Sequence, residues 1–386
     1  MGAAPSELPR GRTAQAARAA VRVGQPHATG NRVPLALRRV WQSRPSVRGA
    51  RPTLGRSHAF TQLTFRPAAP KSPAMSDAAA TLILSEPLAG LQAQAIGLAE
   101  AARLPHELRA LTPPAPWKWV AAKLWPRPLI AVADSLRGPL PGLVIACGGM
   151  GAAVAAALRR GGRRVVQVQH PRLNPSRFDL VVVNRHDGLT GPNVVVTRTA
   201  LHRATPQRLA EAAAAWRDRL AHLPRPLVAA LIGGSNGRYR LDATVAAQLA
   251  GGLADMMRRD RVGLALTPSR RTDPEAVRVL RQALEPLGAW FWDGTGENPY
   301  FGMLGLADGI VVTQDSVSMI SEAAATPAPI MIAALPGRSR RQAIFLDGML
   351  AEDRVRWFRG RFATWTVAPL DDTPFAAAEL LRRLGL

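Results

Sequence analysis

Two clusters of polar residues follow apolar runs of strand length and have the chemistry to bind an anion. The glycine-rich turn Gly233-Gly234-Ser235-Asn236-Gly237 lets the backbone approach a phosphate closely and direct N–H groups towards it. The second cluster, Thr267 to Thr272, contains Arg270 and Arg271, whose guanidinium groups suit phosphate oxygens. A purely structural tight turn is the alternative for the first cluster, and a solvated loop for the second.

A third cluster extends from Thr313 to Glu322 and joins the end of a strand to a helix. Asp315, Ser316 and Ser318 fall in the first turns, where free N–H groups and the positive end of the helix dipole favour a diphosphate. Glu322 is four residues beyond Ser318 and so on the same helical face, where its carboxylate can accept ribose hydroxyls. Asp315 or Ser316 acting only as a helix cap is the alternative. The number of polar groups exceeds what capping requires, so we favour a binding site.

One histidine and its neighbour are the candidate catalytic residues. His186 and Asp187 follow the apolar run Leu180 to Val183, and a histidine near neutral pH can act as a base that an adjacent carboxylate orients. A capped loop with an exposed histidine is the alternative. The spacing of His170, His186 and His202 matches no metal-ligand pattern, so we predict no metal site.

These clusters need a parallel sheet to bring them together. Short apolar runs alternate with helical segments from Thr81 to Ala333, which predicts an α/β fold with parallel sheets covered on both faces. Ligands bind such sheets beyond the carboxyl ends of the strands. The segment Pro224-Arg225-Pro226 is the predicted linker between two Rossmann-like domains, residues 75–223 and 224–386, with a cleft between them.

Residues 1–74 differ in composition from the rest of the chain. They carry about half of the net charge of +23, contain a single acid and lack sustained periodicity. We expect a disordered basic leader, because such a segment buries too little apolar surface to offset the entropy of ordering. A start codon assigned too far upstream, with Met75 as the true start, is the explanation we favour. An organelle transit peptide remains an alternative.

The remaining composition excludes several classes of protein. No apolar run is long enough for a transmembrane helix, and the single cysteine, Cys147, excludes an internal disulfide and is expected to be a buried thiol. Lysine occurs only at Lys71, Lys118 and Lys123, so nearly all of the 50 basic residues are arginines. This bias is typical of a GC-rich bacterial genome. With few aromatic residues in the leader, we expect no specific nucleic-acid partner.

Many ordered motifs resemble those of the mitochondrial-fission "elongated mitochondria" family and its bacterial members, over residues 81–369. They are Gln169-His170-Pro171-Arg172, Phe178 to Val183, His186-Asp187, Gly191 to Val194, Ala200 to Arg203, Ile232 to Asn236, Ser269 to Thr272, Asn298-Pro299-Tyr300 and Thr313 to Ala323. More distantly, the Gly-Gly-Ser turn and the helix carrying Ser318 and Glu322 resemble the donor half of GT-B glycosyltransferases. In those enzymes the glutamate holds the nucleotide ribose.

The resemblance implies a glycosyltransferase-like protein that binds a nucleotide-sugar in its second domain. The implied donor contacts are Gly234, Ser235, Arg270, Ser316, Ser318 and Glu322, and the acceptor, lipid-linked or at a membrane surface, would meet the first domain. No cofactor is expected, since the nucleotide-diphosphate sugar is the substrate. A nucleotide-sugar epimerase and a non-enzymatic adaptor of the fission type are the alternatives. The expected location is cytoplasmic, peripheral to the inner membrane.

Overall fold

The structure, a computed structural model, describes residues 81–386, and the predicted leader lies outside the described residues. Two parallel six-stranded sheets form the framework of this part. The first contains β1 (Thr81–Ser85), β2 (His106–Ala110), β3 (Leu143–Cys147), β4 (Arg164–Val168), β5 (Leu180–Asn184) and β6 (Val194–Thr197). The second contains β7 (Leu227–Ile232), β8 (Gly263–Pro268), β9 (Trp290–Phe291), β10 (Gly309–Thr313), β11 (Ile330–Ala333) and β12 (Val355–Trp357).

Helices cover both faces of each sheet. They are α1 (Ala89–Ala101), α2 (Pro128–Ala131), α3 (Gly148–Arg160), α4 (Pro206–Leu220), α5 (Ala243–Asp260), α6 (Pro274–Leu284), α7 (Tyr300–Leu306), α8 (Val317–Ala324), α9 (Arg340–Ala351) and α10 (Thr373–Leu384). Short 3₁₀ turns occur at Trp117–Trp119, Ala122–Leu124, Ala133–Leu136, Pro175–Arg177, Arg185–Asp187 and Glu285–Leu287. The strand orders are β2-β1-β3-β4-β5-β6 and β12-β11-β10-β7-β8-β9. The predicted fold class is confirmed.

Local sequence explains where the longest helices begin. Thr205 caps α4 by accepting a hydrogen bond from the N–H of Arg208 (3.2 Å), and Pro206 takes the first helical position. Asp242 caps α5 in the same way through the N–H of Val245 (3.0 Å). The chain enters α3 directly at Gly148, immediately after β3.

Each sheet, together with the helices packed on it, forms one lobe of the described chain. We call the lobe with strands β1 to β6 the first lobe and the lobe with strands β7 to β12 the second lobe. The predicted boundary at residue 224 places α4 in the first domain, whereas Trp216 of α4 packs in the second-lobe core and lies against Gly302 of α7. Conversely, α10 returns to the first lobe, where Leu380 packs with Ile83 and Leu98. An apolar helical stripe shows that a helix is buried but not which sheet it covers, so sequence alone could not assign these helices.

Two edge strands, β2 and β12, were absent from the sequence prediction. Residues of β2 are mostly half-buried or exposed and include Glu107 and Arg109. Only three residues form β12, and two of these are exposed. Both strands contact a single neighbour and carry polar or exposed side chains, so they lack the apolar run that marks a central strand. Within residues 81–386, no helix combines the length and apolar character needed to cross a bilayer.

Candidate functional site

A cavity of about 960 Å³ is lined by residues of both lobes. Its walls include residues that follow β4 and β5 in the first lobe and β8 and β10 in the second. The carboxyl ends of parallel strands meet at one edge of each sheet, which is where open α/β folds bind ligands. Six of the residues predicted from sequence line this cavity: His186, Asp187, Arg271, Asp315, Ser316 and Ser318.

A capping box fixes the turn that carries His186 and Asp187. Asn184, the last residue of β5, accepts a hydrogen bond from the N–H of His186 (3.2 Å) through its side chain. Its own N–H donates to Asp187 Oδ2 (3.3 Å). Arg341, on α9 of the second lobe, donates a hydrogen bond to Asp187 Oδ1. The turn is therefore held from both lobes.

The imidazole of His186 is suited to accept a proton. Its side chain is 8% exposed, its ring packs edge-on against Phe345 with centroids 5.9 Å apart, and Nε2 lies 3.7 Å from Asp187 Oδ1. Buried Nδ1 has no hydrogen-bond partner among the described residues. Burial lowers the pKa of His186, Asp187 opposes this shift and Arg341 reinforces it. The ring is therefore neutral near pH 7, the state a general base requires.

The glycine turn after β7 is closed by internal hydrogen bonds. The N–H of Gly233 donates to Thr313 Oγ1 (2.7 Å) and that of Gly234 donates to Asp315 Oδ2 (3.2 Å). Ser235 Oγ accepts from the N–H of Leu241. The predicted phosphate cradle therefore has two of its N–H groups already paired, and none of residues 233–236 lines the cavity.

Close packing explains the two glycines. A Cβ on Gly233 would lie 2.2 Å from Asp315 Oδ1, and a Cβ on Gly234 would lie 2.1 Å from the carbonyl oxygen of Arg271. Asn236 accepts hydrogen bonds from the N–H groups of Arg238 (2.8 Å) and Tyr239 (2.9 Å), which shapes the next turn. This geometry matches the structural alternative for the motif.

Asp315 is the residue around which the second-lobe turns assemble. Its carboxylate is fully buried and accepts hydrogen bonds from Arg271 Nη2 (2.9 Å) and Thr313 Oγ1 (2.7 Å), in addition to the N–H of Gly234. Arg271 lines the cavity with its charge paired, whereas the neighbouring Arg270 is exposed and lies off the cavity. Asp315 thus positions the turns and offers little to a ligand.

The first turn of α8 faces the cavity. Ser316 caps the helix by accepting a hydrogen bond from the N–H of Met319 (3.3 Å). Ser318 lines the cavity, and its hydroxyl lies close to Gly90 of α1, since a Cβ added to that glycine would be 3.4 Å away. The positive end of the α8 dipole is therefore directed at the cavity. That Ser316 and Ser318 contact the nucleotide-sugar therefore stays a prediction.

Glu322 is directed elsewhere. Its carboxylate accepts a hydrogen bond from the hydroxyl of Tyr300 at the start of α7 (2.6 Å), and the residue does not line the cavity. Burial raises the pKa of Glu322 to about 7, and the hydrogen bond from Tyr300 lowers it. Burial also raises the pKa of Tyr300 well above its usual value. To reach a ribose in the cavity, the carboxylate of Glu322 would have to move, because it lies off the cavity lining.

Most of the positive charge of the cavity comes from arginines that the sequence did not single out. Besides Arg271 and Arg341, four arginines line the cavity: Arg172, Arg238, Arg338 and Arg340. Among the residues that the structure describes, the carboxylates in the lining are Asp187 and Asp315 alone, each already paired with an arginine. These arginines were inconspicuous because the whole chain is rich in arginine. Across residues 81–386, no group of three or more His, Cys, Asp or Glu side chains is arranged to hold a metal ion.

A comparison with protein families decides the relationship. The model of the family described as Mitochondrial fission ELM1 matches residues 89–384. The chain belongs to this family. An Arabidopsis thaliana relative, Mitochondrial fission protein ELM1, is 34% identical over 278 residues, which is 64% of this chain and 64% of that protein. The chain thus spans less than two thirds of the length of that relative.

Solved structures resemble this family member more loosely. The UDP-GlcNAc 2-epimerase of Methanocaldococcus jannaschii, in complex with UDP-GlcNAc and UDP, covers 79% of this chain and 99% of its own with a TM-score of 0.48 and 13% identity. Acinetobacter baumannii MurG covers 79% of this chain and 90% of its own with a TM-score of 0.45 and 14% identity. Structural similarities with TM-scores this low do not support a conclusion about function.

Proposed function

We propose that this family member binds a nucleotide-diphosphate sugar in the cavity between the lobes and transfers the sugar to an acceptor. The observation that carries the proposal is the charge of the cavity, where six arginines face two carboxylates that are already paired. Guanidinium groups bind phosphate oxygens through two parallel hydrogen bonds. A cavity of about 960 Å³ lies in the range that holds ligands of this size.

Each wall of the cavity would have its own role. Arg338 and Arg340, together with Arg238, would bind the diphosphate, and the first turn of α8 would add Ser316 and Ser318. His186 would take the proton of the acceptor hydroxyl, with the carboxylate of Asp187 3.7 Å from Nε2 of the imidazole. Arg270, Gly234, Ser235 and Glu322 would contact the donor only after a rearrangement, because they lie off the cavity.

Two alternative functions are also compatible with this structure. An epimerase would use the same diphosphate site, so the cavity favours both enzymes equally. A non-enzymatic adaptor of the fission type is supported by the name of the Arabidopsis relative and by the glycine turn, whose N–H groups at Gly233 and Gly234 are paired internally. An adaptor that binds only protein partners does not need unpaired N–H groups in this turn to bind a phosphate.

Calorimetric titration of the full chain tests the proposal. Wild type is titrated with UDP, GDP and their N-acetylglucosamine and glucose derivatives, alongside Arg338→Gln and Arg340→Gln. Hydrogen bonds to charged groups contribute about 1.5–3 kcal/mol each, so each variant should bind the preferred nucleotide roughly tenfold to a hundredfold more weakly. Arg278→Gln is the matched control, because Arg278 is an exposed arginine paired with Glu275 on α6.

The outcomes separate the three functions. Nucleotide binding weakened only by the cavity variants supports the site, and transfer of the sugar to an acceptor supports the proposed activity. Conversion of the bound sugar to its epimer, with no transfer, identifies an epimerase. Failure of the wild type to bind any nucleotide refutes the proposal and favours the adaptor.

A further inference from the structure

The segment between β2 and β3 exposes a cluster of large apolar side chains. Trp119 is 74% exposed, Leu124 66% and Ile130 60%, and Val120 and Leu129 are also exposed. Five of the twelve exposed large hydrophobic residues in the described chain therefore fall within twelve consecutive positions. Single exposed apolar residues are ordinary, but a cluster of this kind marks an interaction surface.

Two tryptophans anchor this segment to the first lobe. Trp125 is buried in the core around β1 and donates a hydrogen bond from its indole nitrogen to the carbonyl oxygen of Val120 (3.0 Å). Trp117 packs edge-on against Trp125, with ring centroids 6.3 Å apart. Trp119 and Leu124 lie between these two anchors in the chain, and both are exposed. Their exposure is thus built into the fold.

Basic residues surround the exposed apolar ones. The segment contains Lys118, Lys123 and Arg127, and no acidic residue occurs between Glu107 and Asp134. Two of the three lysines of an otherwise arginine-rich chain fall here. The ammonium group of Lys118 lies 4.8 Å from the centroid of the Trp119 ring, so the cation and the exposed aromatic share one surface.

A small cavity of about 220 Å³ adjoins the segment. It is lined by Trp125, Pro126 and Pro128 and by residues at the end of α3 and beyond. Its charged lining residues are Lys123, Arg160 and Arg177, with no carboxylate among the described residues that line it. A site with three cations and an apolar floor fits a phosphate group that is attached to an apolar body.

We infer that this surface, the membrane-docking surface formed by residues 117–130 and the cavity beside them, binds an anionic phospholipid bilayer. Trp119, Leu124 and Ile130 would enter the boundary between headgroups and acyl chains, and Lys118, Lys123 and Arg127 would remain at the level of the lipid phosphates. A nucleic acid would match the positive charge but leave the aliphatic side chains exposed. The inference is independent of the proposed nucleotide-sugar site.

Vesicle partitioning of the full chain tests the inference. Wild type and the Trp119→Ser/Leu124→Ser double variant are sedimented with vesicles of phosphatidylcholine alone or mixed with phosphatidylglycerol. Removing two apolar side chains from the interface should weaken binding to the anionic vesicles at least about tenfold. Phe375→Ser is the matched control, because Phe375 is 52% exposed but lies on α10. All sites are exposed, so unfolding temperatures should agree.

Two further measurements separate this surface from residues 1–74, whose positive charge would also favour binding to anionic lipid. The Lys118→Glu/Lys123→Glu variant should lose much of the preference for phosphatidylglycerol, because each basic residue near such a surface adds attraction. Brominated lipids should quench Trp119 fluorescence, seen as the difference between wild type and Trp119→Phe. Unchanged partitioning of both double variants would overturn the inference, as would binding of a soluble acidic protein without vesicle binding.

Discussion

Arg341 of the second lobe donates a hydrogen bond to the carboxylate of Asp187 in the first, directly beside the imidazole of His186. This contact joins the end of β5 to the start of α9 across the cavity. Burial lowers the pKa of His186, Asp187 raises it and Arg341 lowers it, so the same contact contributes to the protonation state of the histidine. The arrangement of the lobes and the chemistry of the candidate base are therefore linked.

Replacing Arg341 should shift the titration of His186. In Arg341→Gln the positive charge that lowers the pKa of His186 is lost, while the carboxylate of Asp187 remains, so that pKa should rise. NMR titration of the imidazole protons measures the shift, with His186→Gln assigning the signal. Arg340→Gln is the control, since Arg340 lines the cavity but is not paired with Asp187. An unchanged or lower pKa in Arg341→Gln would contradict this account.

Two glycines of the turn 233–237, Gly234 and Gly237, should tolerate alanine very differently. A Cβ on Gly234 would lie 2.1 Å from the backbone carbonyl oxygen of Arg271, whereas a Cβ on Gly237 meets no atom within 4 Å. Gly234→Ala should lower the free energy of unfolding by about 3 kcal/mol, and Gly237→Ala should change it by less than about 0.5 kcal/mol. Denaturant unfolding gives both values, and equal effects would show that the turn is not tightly packed.

Arg354 should be far more important for stability than its neighbour Arg356. Its buried guanidinium donates to the carbonyl oxygens of Thr326 (2.6 Å) and Ala328 (3.2 Å), just beyond α8, and burial lowers its pKa to about 10. Arg354→Met keeps much of the volume but leaves these carbonyls unpaired, at a cost of about 3 kcal/mol.

Arg356→Met provides the comparison, because Arg356 pairs with Asp353 at the surface. Exposed ion pairs contribute little to stability, so this variant should unfold close to wild type. Similar losses in the two variants, measured by denaturant unfolding, would be evidence against a special role for Arg354.

Glu322 should make stability fall as the pH rises from about 4.5 to about 7. The pKa of its carboxyl is raised from its usual value of 4.5 to about 7 in the folded chain, so the folded state retains a proton that the unfolded state has lost. The associated stability is complete below pH 4.5 and is lost as the pH passes the folded pKa. Its size is of order 3 kcal/mol, because a shift of one pKa unit corresponds to about 1.4 kcal/mol.

Glu322→Gln removes the titrating group and keeps an acceptor for Tyr300. This part of the pH dependence should vanish, and the variant should be more stable than wild type at pH 8 but not at pH 4. Thermal unfolding across this range measures the difference. An identical pH profile in Tyr300→Phe and wild type would show that the hydrogen bond itself matters little. A profile unchanged in Glu322→Gln would rule out the titration of Glu322.

The sequence by itself determined the alternation of strands and helices and hence the two parallel sheets. Central strands such as β7 are buried along their whole length and read as apolar runs, and the caps Thr205 and Asp242 mark where helices begin. The sequence also identified which strand ends lie at the cavity, because the carboxyl ends of parallel strands lie along the same edge of a sheet. His186 and Ser318 could be placed on this basis.

Only the tertiary structure decided how those residues are used. The carboxylate of Asp315 and the N–H groups of Gly233 and Gly234 are satisfied by one another and by neighbours distant in the chain, and Glu322 is paired with Tyr300 rather than directed at the cavity. Local sequence does not encode such pairings, because a polar group at a strand end can bind either a ligand or another part of the chain. The arginines of the cavity were hidden for a related reason: in an arginine-rich chain, only their convergence in space distinguishes them from the rest.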